Sequence, residues 1–131
     1  MIFMDDAHKG FFFECINKTN SANDPYRMAL FYTLGLTGET RRNINRLYDF
    51  DKRGIIVEGL FDGFQTGTSM KVTRMAFNLY NGFTGDAAHR RKDNQRNYSP
   101  YHIYDTGLMA FFFEAVKLRY PDYYHAPSNL T

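Results

Sequence analysis

The stretch NDPYRMALFYTLGLTG, residues 23 to 38, constrains the chain more than any other. Asp24 is a residue type whose side-chain oxygen accepts hydrogen bonds from the free amides of a first helical turn. Pro25 has no amide to leave unpaired there, and its ring holds φ near the helical value. Met28 to Leu36 is an apolar run, and Gly38 lies just beyond its end, where helices commonly stop. These signals predict a helix over 24–37. An apolar helix must be buried against neighbouring elements, and the rest of the chain supplies several with the same period.

Asp5 or Asp6 can cap a first helix that runs to about Thr19, with Phe12, Phe13 and Ile16 facing inward. A shorter third helix fits Glu39 to Tyr48, placing Arg41, Arg42 and Arg46 outward and Ile44 and Leu47 inward. DFDKRG, residues 49 to 54, is a polar turn. IIVEGLF, residues 55 to 61, starts with β-branched residues, but a lone strand cannot pair its own backbone, so an extended or short helical connector is expected.

DGFQTGTSMKVTRMAFNLYNG, residues 62 to 82, raises the question of a phosphate loop. Such a loop needs two glycines five positions apart followed directly by Lys and a hydroxyl residue. Gly63 and Gly67 are four apart, with Lys71 four further on. A helix start fits better, capped by Thr66 or Thr68, with no acidic residue placed for a reciprocal capping box. The predicted helix spans 68–80. Met70, Met75, Ala76, Phe77 and Leu79 form its inner face, with Phe77 a core residue. Lys71, Thr73, Arg74 and Asn78 fall on the other side, and Asn81-Gly82 ends the helix.

Residues 84–98, TGDAAHRRKDNQRNY, are almost devoid of apolar side chains and are expected to be a long exposed loop. Ser99 and Pro100 open a short turn. Asp105 is expected to cap a last helix over 106–120, ended by Pro121, and residues 121–131 are expected to be a loosely held tail. The fold class that follows is all-α: a compact single-domain bundle of about five helices spanning 1–131, with a long basic loop. The helices at 24–37, 68–80 and 106–120 form its core. No repeat or linker divides it.

Cys15 is the single cysteine, so no intrachain disulfide can form, which fits a reducing compartment. No segment has the apolar length of a membrane span, and Met1 to Met4 runs into Asp5-Asp6 without a basic leader. A cytoplasmic location is the expectation. Thirteen Phe and ten Tyr stand in 131 residues. The clusters at 11–13 and 111–113 cannot face inward in full from one helix each, so part of the surface is expected to be apolar and to meet a partner.

His8, His89, His102 and His125 lie on separate segments without metal-ligand spacing, and they read as surface or interface residues. Cys15 reads as a small buried residue, not a nucleophile. Asp49, Asp51, Glu58 and Asp62 read as a solvated turn region beside Lys52 and Arg53. None of these forms a catalytic constellation, and no cofactor is implied. The net charge of +2 is too small to argue for nucleic acid from the total. HRRKDNQRNY, residues 89 to 98, is the strongest electrostatic feature. Arg90, Arg91, Lys92 and Arg96, with Tyr98 and Tyr101 nearby, can follow a phosphate backbone and stack on a base. Arg41, Arg42 and Arg46 extend that patch if the fold brings them together.

Three blocks, DPYRMALFYTLG at 24–35, YDFDKRGIIVEGL at 48–60 with TSMKVTRMAFNLYNG at 68–82, and SPYHIYDTGLMAFFFEAVKLRY at 99–120, resemble the domain-of-unknown-function family numbered 6075. Relative to that pattern the basic segment at 86–98 is expanded, and Thr106 and Gly107 stand where the family has acidic residues. The resemblance implies small proteins of Firmicutes genomes, their prophages and mobile elements, with no known activity. In that setting the expected function is non-enzymatic. The protein is expected to bind a host protein or nucleoprotein, an anti-CRISPR acting on a CRISPR effector or another anti-defence inhibitor being the sharpest version. The alternatives are direct nucleic-acid binding through the basic loop, or a small-molecule binder.

Overall fold

The computed structural model describes residues 1–85 and 91–127. Its helices in chain order are α1 (Asp6–Thr19), α2 (Pro25–Leu34), α3 (Gly38–Arg42), α4 (Gly67–Asn81), α5 (Pro100–Ile103) and α6 (Met109–Arg119). Short 3-10 turns occupy Ile44–Arg46, Val57–Phe61 and Gln95–Tyr98. A two-stranded antiparallel ladder, β1 (Tyr48–Asp49) with β2 (Gly54–Ile55), pairs Tyr48 with Ile55 and Asp49 with Gly54. The described chain is thus mostly helical.

The hub is α2, which packs against α1, α4 and α6. Asp24 caps it, accepting from the amides of Tyr26 and Arg27, and Ala29 through Leu34 are all buried. A helix enclosed on every side can be apolar all round, which is what the run from Met28 supplies. It stops at Leu34, three residues before the sequence-based expectation. The cause is the next element: the Thr40 hydroxyl donates to the Leu34 carbonyl, and Arg41 Nη1 donates to the Gly35 carbonyl at 2.7 Å. These side chains satisfy carbonyls that a longer helix would have used.

Other boundaries move for equally local reasons. Glu39 to Tyr48 is not one helix: the Asn43 side chain donates to the Glu39 carbonyl at 2.8 Å, α3 closes at Arg42, and Tyr48 joins the ladder. Of the segment at 55–61, Ile55 pairs as a strand with Tyr48, because the turn at 50–53 folds the chain back, and Val57–Phe61 forms the short helical connector expected. Asp49 Oδ1 accepts from the amides of Asp51 and Lys52, and Arg53 takes the left-handed conformation at φ 59°. The last helix starts at Met109, not at Thr106, and Asp105 does not cap it. The Thr106 amide donates to the Tyr104 carbonyl at 2.9 Å, a turn that holds Thr106 out of the helix.

Thr66 caps α4 and does form a reciprocal box, with Ser69 in the place usually held by an acid. The Ser69 amide donates to Thr66 Oγ1 at 3.1 Å, and the Thr66 amide donates to Ser69 Oγ at 2.7 Å. Phe77 is fully buried on this helix. His8, expected at the surface, is fully buried too. Its Nε2 bonds the Tyr32 carbonyl at 2.7 Å, and its Nδ1 bonds the Met4 amide at 3.1 Å.

The two phenylalanine triplets split as the helical step requires. Phe12 is buried and Phe11 half-buried, while Phe13, expected inward, is 43% exposed. On α6, Phe112 is buried, Phe111 half-buried and Phe113 50% exposed. Successive helical residues turn by about 100°, so three in a row cover more than the core-facing side.

Candidate nucleic-acid interface

The basic run at 89–98 is fastened to the fold by its one acid. Asp93 turns inward and receives Arg74 of α4 through two hydrogen bonds, Nε at 2.7 Å and Nη2 at 3.2 Å. The Asn97 side chain adds a third at 2.8 Å and the Asn94 amide a fourth at 3.1 Å. Burial alone would raise the Asp93 carboxyl, but these donors outweigh it and hold its pKa below the ordinary value. Backbone packing closes the same corner. Gly85 sits at φ 89°, and a Cβ there would lie 2.1 Å from the Asp93 carbonyl oxygen. Only glycine fits that position.

From Asp93 the chain crosses α4. Lys71, one turn before Arg74, donates through its ammonium to the His102 carbonyl of α5. Lys71, Thr73 and Arg74, read from the sequence as an outward face, are therefore covered or half-covered: Thr73 is fully buried, and its hydroxyl donates to the Ser69 carbonyl at 2.9 Å. The Tyr98 ring packs edge-on to Phe83 at 5.7 Å, and Phe83 packs on Phe77 at 6.0 Å. Tyr98 thus anchors the segment to the core. Its enclosed hydroxyl faces the Asp93 carboxylate. Burial, and then the neighbouring Asp93 carboxylate, push its pKa upward.

With Asp93 turned in, the outward side chains of this segment are cationic or neutral. Arg91, Lys92 and Arg96 are exposed, and Tyr101 on α5 is 84% exposed. Arg90, like His89, lies outside the described residues. The Arg91 guanidinium stands 4.4 Å from the centre of the Phe61 ring. Next to Phe61, Asp62 forms an ion pair with Arg46 at 3.6 Å. The fold therefore links Arg46 to Arg91 through the turn at 57–62. Arg41 and Arg42 are held elsewhere. Arg41 is held by the Gly35 carbonyl and lines a cleft beside the α1 residues Phe11, Glu14, Cys15 and Lys18, and the Arg42 guanidinium folds over Gly38. Phe61 and Asp62 carried no sequence signal for this role, since their link to the basic segment is purely tertiary. The inward turn of Asp93 was hidden for the same reason, its partner lying nineteen residues earlier.

Cys15 and Asp24 are engaged in the fold. Burial pushes the Cys15 thiol up to about 12, leaving no thiolate at neutral pH. Asp24 is paired with Arg27 at 2.8 Å, and Arg27 also donates to the Tyr48 hydroxyl, the Tyr80 hydroxyl and the Arg53 carbonyl. Among the described residues no group of three His, Cys, Asp or Glu is placed to hold a metal, and no helix is long and apolar enough to cross a membrane.

What the fold and this surface define is a small, mostly helical protein with a basic segment strapped across its fourth helix. The chain belongs to the family of unknown function DUF6075, which it matches over residues 1–130. No curated protein and no solved structure matches it.

Proposed function

We propose that the protein acts by binding, without catalysis, and that its basic strap meets the phosphate backbone of nucleic acid carried in a host nucleoprotein. The observation that carries this reading is the inward turn of Asp93 onto Arg74. It removes the only negative charge between Arg91 and Arg96 from the outer surface and fixes the backbone that presents the cations. Cations held in place lose less freedom on binding than those of a free loop. Tyr101 flanks the strap with an open ring face for a base, while Arg46 beside it is paired with Asp62. A cytoplasmic inhibitor of a host defence complex, an anti-CRISPR in its sharpest form, is the biological version of this reading. It is supported by the mobile-element setting that the family resemblance implies.

The test replaces Arg91, Lys92 and Arg96 together with Gln and measures binding to fluorescent single- and double-stranded oligonucleotides across a salt series. Each phosphate contact contributes about 0.7 to 0.9 to the slope of log affinity against log salt. The triple variant should lose roughly two units of slope and bind all sequences more weakly to a similar degree. An intact protein that binds no oligonucleotide, or a triple variant with unchanged slope, would overturn the reading.

A further inference from the structure

The outer side of α6 is apolar where an ordinary surface helix is polar. Only Phe112 and Ala115 of this helix are fully buried. Met109 is 45% exposed, Phe113 50% and Tyr120 39%, with Val116 half-buried between them. Their spacing of four, three and four residues places them on one stripe along the helix. The stripe runs on into Tyr123, 81% exposed, and Tyr124, 46% exposed, which with Val116, Lys117 and Tyr120 line an open cleft of about 430 Å³.

We infer that this stripe is the contact by which two copies of the chain form a two-fold symmetric dimer. A two-fold interface requires a patch complementary to itself. The order four, three, four reads the same in both directions. A two-fold axis crossing α6 between Glu114 and Ala115 sets Phe113 against Val116 of the second copy, and Met109 against Tyr120 of the second copy.

Charge permits this meeting of like with like. The Lys117 ammonium lies over the Tyr124 ring at 4.7 Å. Arg119 donates to the Leu79 carbonyl at 2.7 Å and lies 3.8 Å from the centre of the Tyr26 ring. Both cations are thus held by their own chain, over Tyr124 and Tyr120 at the end of the stripe. Size permits it as well. With about 150–250 Å² for each aromatic side chain, the exposed fractions amount to roughly 500 Å² per copy. Complete coverage of these residues in two copies would bury at most about 1,000 Å², the lower bound of a specific interface.

The test is the solution mass of the full chain, by sedimentation or light scattering, for three proteins and one mixture. The unaltered chain should have twice the 15.4 kDa monomer mass. Phe113→Glu and Val116→Lys should each halve that mass, with thermal unfolding used to confirm that both remain folded. Mixing the two variants should restore the dimer, because the axis sets the introduced carboxylate against the introduced ammonium and leaves the other Phe–Val contact intact. A monomeric unaltered chain, dimeric single variants, or a mixture that stays monomeric would each overturn the proposal. If Val116→Lys does not fold, Met109→Lys mixed with Tyr120→Glu puts the same question to the outer pair of contacts.

Discussion

His8 sits between two hydrogen bonds that admit one tautomer. Nδ1 faces the Met4 amide and must accept, so the proton is on Nε2, donated to the Tyr32 carbonyl. Charging the ring would place an N–H against an N–H in an enclosed site ringed by Phe3, Tyr32 and Phe111. Burial, the largest influence, accordingly lowers its pKa below 6.5. A lowered folded-state pKa means that the unfolded chain binds the proton more readily, so stability is full above pH 6.5 and is lost as pH falls through the folded value. Asp24 and Asp93, also lowered, add a second loss that begins only as pH falls below about 3.8. The melting temperature should therefore hold steady above neutrality and begin to drop in mildly acid solution, before Asp24 and Asp93 titrate. His8→Gln should melt lower at neutral pH but lose that first step. A wild-type midpoint that is flat down to about pH 5 would refute the assignment. Nothing near His8 in the sequence signalled this burial. Its partners lie on its own first turn and on α2, and a histidine preceded by two acids reads as solvated until the hub helix is in place.

At the scale of the element, the strap over α4 stands or falls with Arg74 and Asp93. The Asp93 side chain is 5% exposed and that of Arg74 15%. Removing the arginine alone leaves a carboxylate enclosed without its counter-ion. Arg74→Ala should cost about 3 kcal/mol or more in a denaturant titration, while Arg74→Met combined with Asp93→Leu should recover much of that loss. A double variant no more stable than the single one would show that the pair itself, not the stranded charge, supports the strap. Elements whose signals are local were legible in the sequence: Asp24-Pro25 at the start of α2, Asp5 before α1, Thr66 before α4, Asn81-Gly82 after it. Elements that depend on a distant partner were not. β1 and β2 exist only because a four-residue turn returns the chain on itself, and α2 stops early because Thr40 and Arg41 reach back to its last carbonyls. The polar side of α4 was legible as polar but not as covered, since its cover arrives about twenty residues later.

At the scale of the whole molecule, the apolar stripe on α6 and the basic strap lie on different elements, and the two proposals give them different tasks. A composition reading foresees that some rings must face outward; that Phe113 and Tyr120 share one side of α6 depends on how that helix lies on α2. If two copies join through α6, each dimer presents two straps, and a long nucleic acid can engage both at once. The second contact is then intramolecular, at an effective concentration set by the rigid separation of the straps rather than by the protein in solution. Phe113→Glu, which leaves Arg91, Lys92 and Arg96 untouched, should bind a short oligonucleotide of single-strap length as the unaltered protein does. Its apparent affinity for a long strand should fall by a factor on the order of 100. Titrating both lengths at one salt concentration separates the contributions, because losing a phosphate contact weakens both lengths and losing the second copy weakens only the long one. Equal weakening of the two would place Phe113 in the nucleic-acid contact itself. Unchanged binding of the long strand would mean that the two straps never engage one strand together.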